Sequence, residues 1–383
     1  MERIESKKKL GFGMMRLPKL PEGETNDFAN VDIGQTKEMV DRFLEKGFTY
    51  FDTAWMYLDY KSEEVVKEVL TSRYPHDRYT LATKYHLAYK KKGTPEEVIN
   101  GQLKRCGVDY FDYYLLHDVG HDNYKKFEEC GAFDTLVRMK QEGKLRHIGF
   151  SCHDLPDFLE KILTEHPEME FVQIQLNYLD WDSAGIQAHQ SYDMITKFNR
   201  PVVVMEPVKG GTLANVPEAV EKSFREYHPE LSVPSWAIRF AASRENVGVV
   251  LSGMSNIGQM EDNLSYMENF QPLNEEEEER IRQAVEIINE SIEIQCTGCS
   301  YCTHGCPKQI PIPKYFSLYN TDKKDIAAGW TPQQEYYERL TTHETPASQC
   351  IGCGQCERIC PQHLPIIEDL KKVAEHFEKT EEE

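Results

Sequence analysis

The last quarter of the chain concentrates its most specific chemistry. The sequence has 11 cysteines, and eight of them lie between Cys296 and Cys360. They form two runs of the pattern C-x2-C-x2-C-x3-C-P. The first is Cys296, Cys299, Cys302 and Cys306, closed by Pro307; the second is Cys350, Cys353, Cys356 and Cys360, closed by Pro361. Thiolates three residues apart, three in succession, can wrap three corners of an iron–sulfur cube, and the Cys-Pro step ends that loop and directs the fourth thiolate elsewhere. Zinc is the competing chemistry, but it takes four ligands and usually shows paired C-x2-C knuckles across a wide gap. The runs are also an internal repeat. CTGCSYCTHGCPKQIPI overlays CIGCGQCERICPQHLPI without a gap, matching every cysteine and the pairs Gly298/Gly352, Pro307/Pro361, Pro311/Pro365 and Ile312/Ile366. This pattern predicts two [4Fe–4S] clusters. Reciprocal exchange of the fourth ligand is the simplest solution: Cys296, Cys299, Cys302 and Cys360 on one cluster, Cys350, Cys353, Cys356 and Cys306 on the other.

A second constellation lies upstream. Polar residues stand where apolar runs end: Asp52, Lys84, His117, Ser151, Gln173 and Glu206, with Tyr57 five residues beyond Asp52. A tyrosine with an ordinary pKa of about 10 is a poor acid at neutral pH. A neighbouring Lys84 ammonium would lower that pKa, Asp52 would hold Lys84 charged, and His117 could orient a carbonyl oxygen beside the phenol. Together they would make a proton donor for a developing alkoxide. A structural ion pair between Asp52 and Lys84, with half-buried Tyr57 and His117, is the alternative.

The elements that must position these residues alternate. Up to about Gln271, short apolar runs are followed by helical patterns eight times, and runs such as VVVM and VGVVL are continuously apolar, as parallel strands buried on both faces are. Asp32 caps a helix that stops at Gly47, and Thr94-Pro95 opens another, while one long helical stretch reaches Gly143. Eight such units predict an α/β fold, a (β/α)8 barrel whose strand C-termini carry the site; an open doubly wound sheet lacks its GxGxxG here. The expected division is a barrel over residues 1–272, an exposed helical linker over 273–295 containing the run of glutamates after Asn274, and a small, mainly helical domain over 296–383. The stretch beyond Glu375 reads as frayed.

FDTAWMY, LATKY and DYYLLH resemble motifs of the aldo/keto reductases, and GFGMMRLP resembles their first strand; the similarity spans about residues 10–270. Carried over by motif, the resemblance implies a catalytic tetrad of Asp52, Tyr57, Lys84 and His117. It implies nicotinamide contacts at Ser151 and Gln173, and an adenosine-phosphate segment with Gly253, Ser255, Asn256, Gln259 and Asn263. Three positions depart from the family pattern. Cys152 replaces an asparagine, Met205 an aromatic ring stacked on nicotinamide, and Gln259 an arginine for the 2′-phosphate. Lys209 is a candidate phosphate contact. The tail resembles two-[4Fe–4S] ferredoxin domains. Its long spacer, with helices expected around KYFSLYN and PQQEYYERL, is closer to the α-helical ferredoxins of succinate dehydrogenase type. Tyr315, Phe316, Tyr336 and Tyr337 there read as core shielding the clusters.

These readings combine into an expected oxidoreductase that uses NADP(H) or NAD(H) on a small carbonyl or alcohol substrate and passes single electrons through two [4Fe–4S] clusters, with a redox partner protein as a candidate acceptor or donor. Hydride carries two electrons and each cluster accepts one, so a flavin or substrate radical could mediate, although no flavin motif is evident. A reductase fed by the clusters without NADPH, and a non-catalytic redox-sensing or binding subunit, are the rival readings. Lys+Arg 44 against Asp+Glu 64 gives a net charge of -20, which disfavours nucleic acid and anionic membrane as partners. No apolar run approaches the roughly 18 residues of a membrane span. The N-terminal residues lack a secretory pattern, so a reducing cytoplasmic location is expected.

Overall fold

The computed structural model describes residues 4, 8–290, 293–296, 298, 300–323, 330–360 and 362–378. Eight parallel strands close into a barrel in sequence order. They are β1 Leu10–Gly13, β2 Tyr50–Asp52, β3 Thr80–Tyr85, β4 Phe111–Leu116, β5 Leu145–Cys152, β6 Phe171–Gln175, β7 Val202–Met205 and β8 Val247–Gly253. β1 pairs with β8 from Leu10↔Val250 to Gly13↔Gly253, so no edge remains.

The period of two along a strand explains why the site stands where it does. Tyr50, Ala82, Leu115, Phe171, Val203 and Val249 pack together as the barrel's interior cluster. Two residues further along the same strands, the inward positions reach the C-terminal rim as Asp52, Lys84, His117, Gln173 and Met205. The outward faces bury Phe12, Phe51, Ile148, Val172, Val204 and Val250 against the surrounding helices. At the other end of the barrel a polar cavity lies among His76, Arg78, Asp112, Arg146 and His147.

Local signals set the helix ends. The Asp32 side chain accepts the Gln35 N–H at 2.9 Å and starts the helix Ile33–Glu45. Thr94 and Glu97 form a reciprocal capping box on Pro95–Cys106. The stretch expected as one helix up to Gly143 is two, Tyr124–Glu129 and Ala132–Gln141. Gly131 adopts φ +68, a left-handed conformation that interrupts the helix and that glycine accepts without strain.

The glutamate-rich segment is not an exposed linker. Its helix, Glu275–Glu290, lays Ile281, Ala284 and Ile288 into the barrel's outer core. Asn274 caps it, and Glu277 is buried in ion pairs with Arg239 at 2.6 Å and His228 at 3.0 Å. The tail then folds around the helices Ile312–Asp322, Pro332–Leu340 and Ile366–Phe377, the first two where helices were expected. Tyr315, Phe316, Tyr336 and Tyr337 are buried in its core, which also takes in Leu155, Ile186 and Ala188 from the barrel. The last helix runs past Glu375, and its Phe377 ring stacks on Tyr337 at 4.7 Å. Among the described residues no helix is long and apolar enough to cross a membrane.

Candidate functional site

The four residues expected to act together converge at the C-terminal rim. The Lys84 ammonium donates to Asp52 Oδ1 at 2.6 Å and to the Thr53 carbonyl at 2.8 Å, with both charged side chains buried. Burial pushes Lys84 below the ordinary lysine range and Asp52 above the ordinary carboxylate range, and their attraction opposes both shifts. The Lys84 Nζ lies 5.1 Å from the centre of the Tyr57 ring, and that ring meets His117 edge-on at 5.9 Å.

The electrostatics differ from the expectation in one respect. Tyr57 is pushed well above the usual phenol range, first by desolvation and then by the carboxylates of Asp52, Glu206 and Asp118. Lys84 itself donates to Asp52 and to the Thr53 carbonyl, and for Tyr57 the loss of solvent is the largest effect. His117 is held well below the usual imidazole range by desolvation, reinforced by Lys84, His86 and His153. At neutral pH the rim therefore presents a protonated phenol beside a neutral imidazole. His117 Nδ1 is buried and has no hydrogen-bond partner among the described residues.

Beside this group, the expected nicotinamide contacts also come together. Ser151 and Gln173 are register partners on β5 and β6. Ser151 Oγ accepts the Asp118 N–H at 2.8 Å, and Gln173 Nε2 lies 3.5 Å from Met205 Sδ. Gln173 Oε1 is buried without a partner among the described residues, as an acceptor held ready for a carboxamide would be. Cys152 is buried in the core, and burial pushes its thiol up.

Around the β8 loop the expected residues divide. Asn256 caps the helix Ile257–Met267 by accepting the Gln259 N–H at 2.9 Å, and Gln259 Oε1 accepts the Ser255 N–H at 2.7 Å. Asn263 turns inward. Its amide donates to Ser252 Oγ at 2.7 Å and accepts from Tyr266 at 2.5 Å, so its hydrogen-bonding capacity is used in the core. Lys209 is neither solvated nor available for phosphate: it is buried against Asp180 at 2.7 Å, and Gln175 and Asn177 donate to the other Asp180 oxygen. A cation that sequence reasoning passed over is Arg16. It is exposed, packs along Gly253, accepts the Ser255 hydroxyl on its carbonyl at 2.8 Å, and makes no ion pair among the described residues. Its position just beyond β1 was the available signal.

In the tail, the repeat in sequence is a repeat in conformation. Gly298 and Gly352 have φ of +73 and +65, Ser300 and Gly354 +62 and +70, Gln309 and His363 +54 and +53. One small cavity is lined by Cys296, Cys302 and Cys360 among apolar residues including Phe316 and Ile366. A second is lined by Cys306, Cys350, Cys353 and Cys356. Ile312 lines both, so the cavities share a wall. Among the described residues, Cys360 thus lines the cavity of Cys296 and Cys302, and Cys306 lines that of Cys350, Cys353 and Cys356. Cys299 and Pro361 lie outside the described residues. Thiols facing an apolar cavity suit a cluster that bonds only to sulfur.

The tail sits beside the C-terminal rim of the barrel. The His153 ring, just beyond β5, contacts Trp330 at 6.0 Å and Tyr336 at 5.9 Å between ring centres. Ser317 and Ser183 hydroxyls hydrogen-bond at 2.9 Å across the same junction.

Comparison with known proteins agrees with this architecture. Residues 9–286 match the model of the aldo/keto reductase family, and residues 295–364 match a 4Fe-4S dicluster domain. The uncharacterized oxidoreductase YqkF of Bacillus subtilis is 26% identical over 271 residues, covering 62% of this chain and 84% of that protein. The holo form of an aldo-keto reductase from Bacillus halodurans superposes with a TM-score of 0.57 at 25% identity, over 72% of this chain and 91% of that one. An aldo-keto reductase from Klebsiella pneumoniae, solved in complex with NADPH, shares the fold with a TM-score of 0.58 at 19% identity, over 74% of this chain and 95% of that one. The chain belongs to the aldo/keto reductase family of oxidoreductases and carries a C-terminal 4Fe-4S dicluster domain.

Proposed function

We propose that the barrel interconverts a small carbonyl compound and its alcohol with NADP(H) or NAD(H), and that the tail holds two [4Fe–4S] clusters that pass single electrons to or from a redox partner. The observation that carries the barrel reading is the rim itself: a protonated Tyr57 against a neutral His117, above the buried Lys84–Asp52 pair. The orphaned Gln173 Oε1 beside Ser151 fits a nicotinamide carboxamide. Nicotinamide, when bound, supplies hydride chemistry. Tyr57 then donates its phenolic proton to the developing alkoxide. His117 orients the carbonyl oxygen by hydrogen bonding, and Lys84 holds Asp52 and the base of the site in place. In the tail, Cys296, Cys299, Cys302 and Cys360 would hold one cluster and Cys350, Cys353, Cys356 and Cys306 the other. A cytoplasmic location suits thiolates that must stay reduced.

Anaerobic purification followed by assay of iron, sulfide and bound nucleotide, with NADPH-dependent reduction of 4-nitrobenzaldehyde as the activity, tests this reading. Iron and sulfide near eight each per chain and measurable turnover are expected. A chain that binds no nicotinamide nucleotide would leave the cluster-fed or sensing role in its place.

The protonation states predict a flat profile. Tyr57 stays protonated below its raised pKa, and His117 stays neutral above its lowered one. Turnover at saturating substrate should therefore not change between about pH 7 and pH 9. A limb falling within that window would identify a different proton donor.

Cofactor choice should be relaxed. Gln259 is neutral and folded onto Ser255, and Lys209 is locked to Asp180, which leaves Arg16 beside the loop. NADP should bind more tightly than NAD by less than about a thousandfold, and Arg16→Ala should narrow the gap further. Titration of both nucleotides by fluorescence checks this, and a gap untouched by Arg16→Ala would assign the 2′-phosphate to another cation.

A further inference from the structure

Arg339 belongs to the tail, on the helix Pro332–Leu340, yet most of its partners belong to the barrel. Its side chain is 1% exposed. It reaches Asp118 Oδ1 at 2.7 Å, the Asp118 carbonyl at 3.2 Å, Asp122 at 3.2 Å and the His153 carbonyl at 3.0 Å, with Glu335 of its own helix at 2.9 Å. Gly120 makes the space for it. A Cβ at that position would fall 2.5 Å from Arg339 Nε and 2.7 Å from Cζ.

The loop that Arg339 grips leaves β4 directly after His117. Asp118 adopts φ +62, a left-handed conformation that needs external support in a non-glycine residue. Its N–H donates to Ser151 Oγ, and the Val119 N–H donates to the Ser151 carbonyl, both at 2.8 Å. Without the guanidinium, the carboxylates of Asp118, Asp122 and Glu335 would face one another with no counter-charge from that residue, and the strained turn would lose its anchor. We propose that Arg339 is a positioning residue for the barrel's site: by holding residues 118–122 it fixes His117 and Ser151, so the site is fully assembled only when the tail is docked. The proposal rests on the reading of His117 and Ser151 given above.

The test uses full-length protein loaded with clusters anaerobically, and compares wild type with Arg339→Ala and Arg339→Lys. Hydrogen exchange at residues 118–123, iron content, NADPH affinity and the kcat and KM for 4-nitrobenzaldehyde are measured together. Arg339 lines neither cluster cavity, so iron content should hold in Arg339→Ala. Exchange at 118–123 should quicken at least tenfold and kcat should fall by about tenfold, with partial rescue by added guanidinium ion. Lysine cannot reproduce the planar fork and should restore only part of the protection. Where Arg339→Ala loses iron, Gly120→Ala displaces the guanidinium from the barrel side with the tail sequence intact and is read in the same way. Unchanged exchange and unchanged kcat in an iron-replete variant would overturn the proposal. If wild type neither binds NADPH nor turns over, the oxidoreductase reading fails while the exchange measurement still decides whether Arg339 holds the loop.

Discussion

Replacing Tyr57 by phenylalanine is expected to lower carbonyl reduction by about 10²–10⁴-fold while nucleotide binding survives, since positioned general acids contribute about that much. The substitution is well matched to the geometry. Phenylalanine keeps the ring that lies 5.1 Å from Lys84 Nζ and 5.9 Å from His117, and removes only the oxygen. Substitutions at Lys84 or Asp52 would be harder to interpret, because each leaves the other charge buried and unpaired, at a cost of about 3–5 kcal/mol to the fold. Steady-state kinetics beside nucleotide titration make the measurement. Near wild-type turnover in Tyr57→Phe would remove this residue from proton transfer.

Replacing Cys360 by alanine should damage the cluster held by the first cysteine run, although Cys360 belongs to the second. It lines the same cavity as Cys296 and Cys302, whereas Cys306 lines the cavity of Cys350, Cys353 and Cys356. Iron should fall from about eight to about four per chain, or the first cluster should become labile. Because cluster binding and folding of such a domain are coupled, the variant should also lose thermal stability in its tail before its barrel. Electron paramagnetic resonance of the reduced protein, which resolves two interacting centres from one, reads the outcome. Loss confined to the cluster of Cys350, Cys353 and Cys356 would mean local ligation.

The parts of this molecule that follow from short-range rules were legible in the sequence. Polar residues at the ends of continuously apolar runs marked Asp52, Lys84 and Gln173 as strand ends, and the doubled cysteine run marked the dicluster domain. Features that depend on distant partners were not. Lys209 looks like a solvated loop residue until Asp180, from the end of another strand, encloses it. The apolar stripe Ile281, Ala284 and Ile288 was hidden by the glutamates around it. The pKa of Tyr57 depends on burial and three carboxylates from separate strand ends, which spacing alone cannot weigh against Lys84. Arg339 has an ordinary i, i+4 partner in Glu335, and nothing local announces that its other partners lie in the barrel.

The helix Glu275–Glu290 is bound to the barrel along its apolar face, and Ile294 is already buried in the tail core. Only four peptide steps join Glu290 to Ile294, a reach of at most about 14 Å even when fully extended. The tail is therefore tethered at its docking surface on a leash shorter than a helix of ten residues. Its local concentration at that surface lies in the millimolar range or above, whatever the concentration of the protein in solution. If the halves exchange electrons as proposed, that exchange is first-order: dilution leaves its rate unchanged, and a soluble carrier competing for the same rim must displace a neighbour that cannot diffuse away.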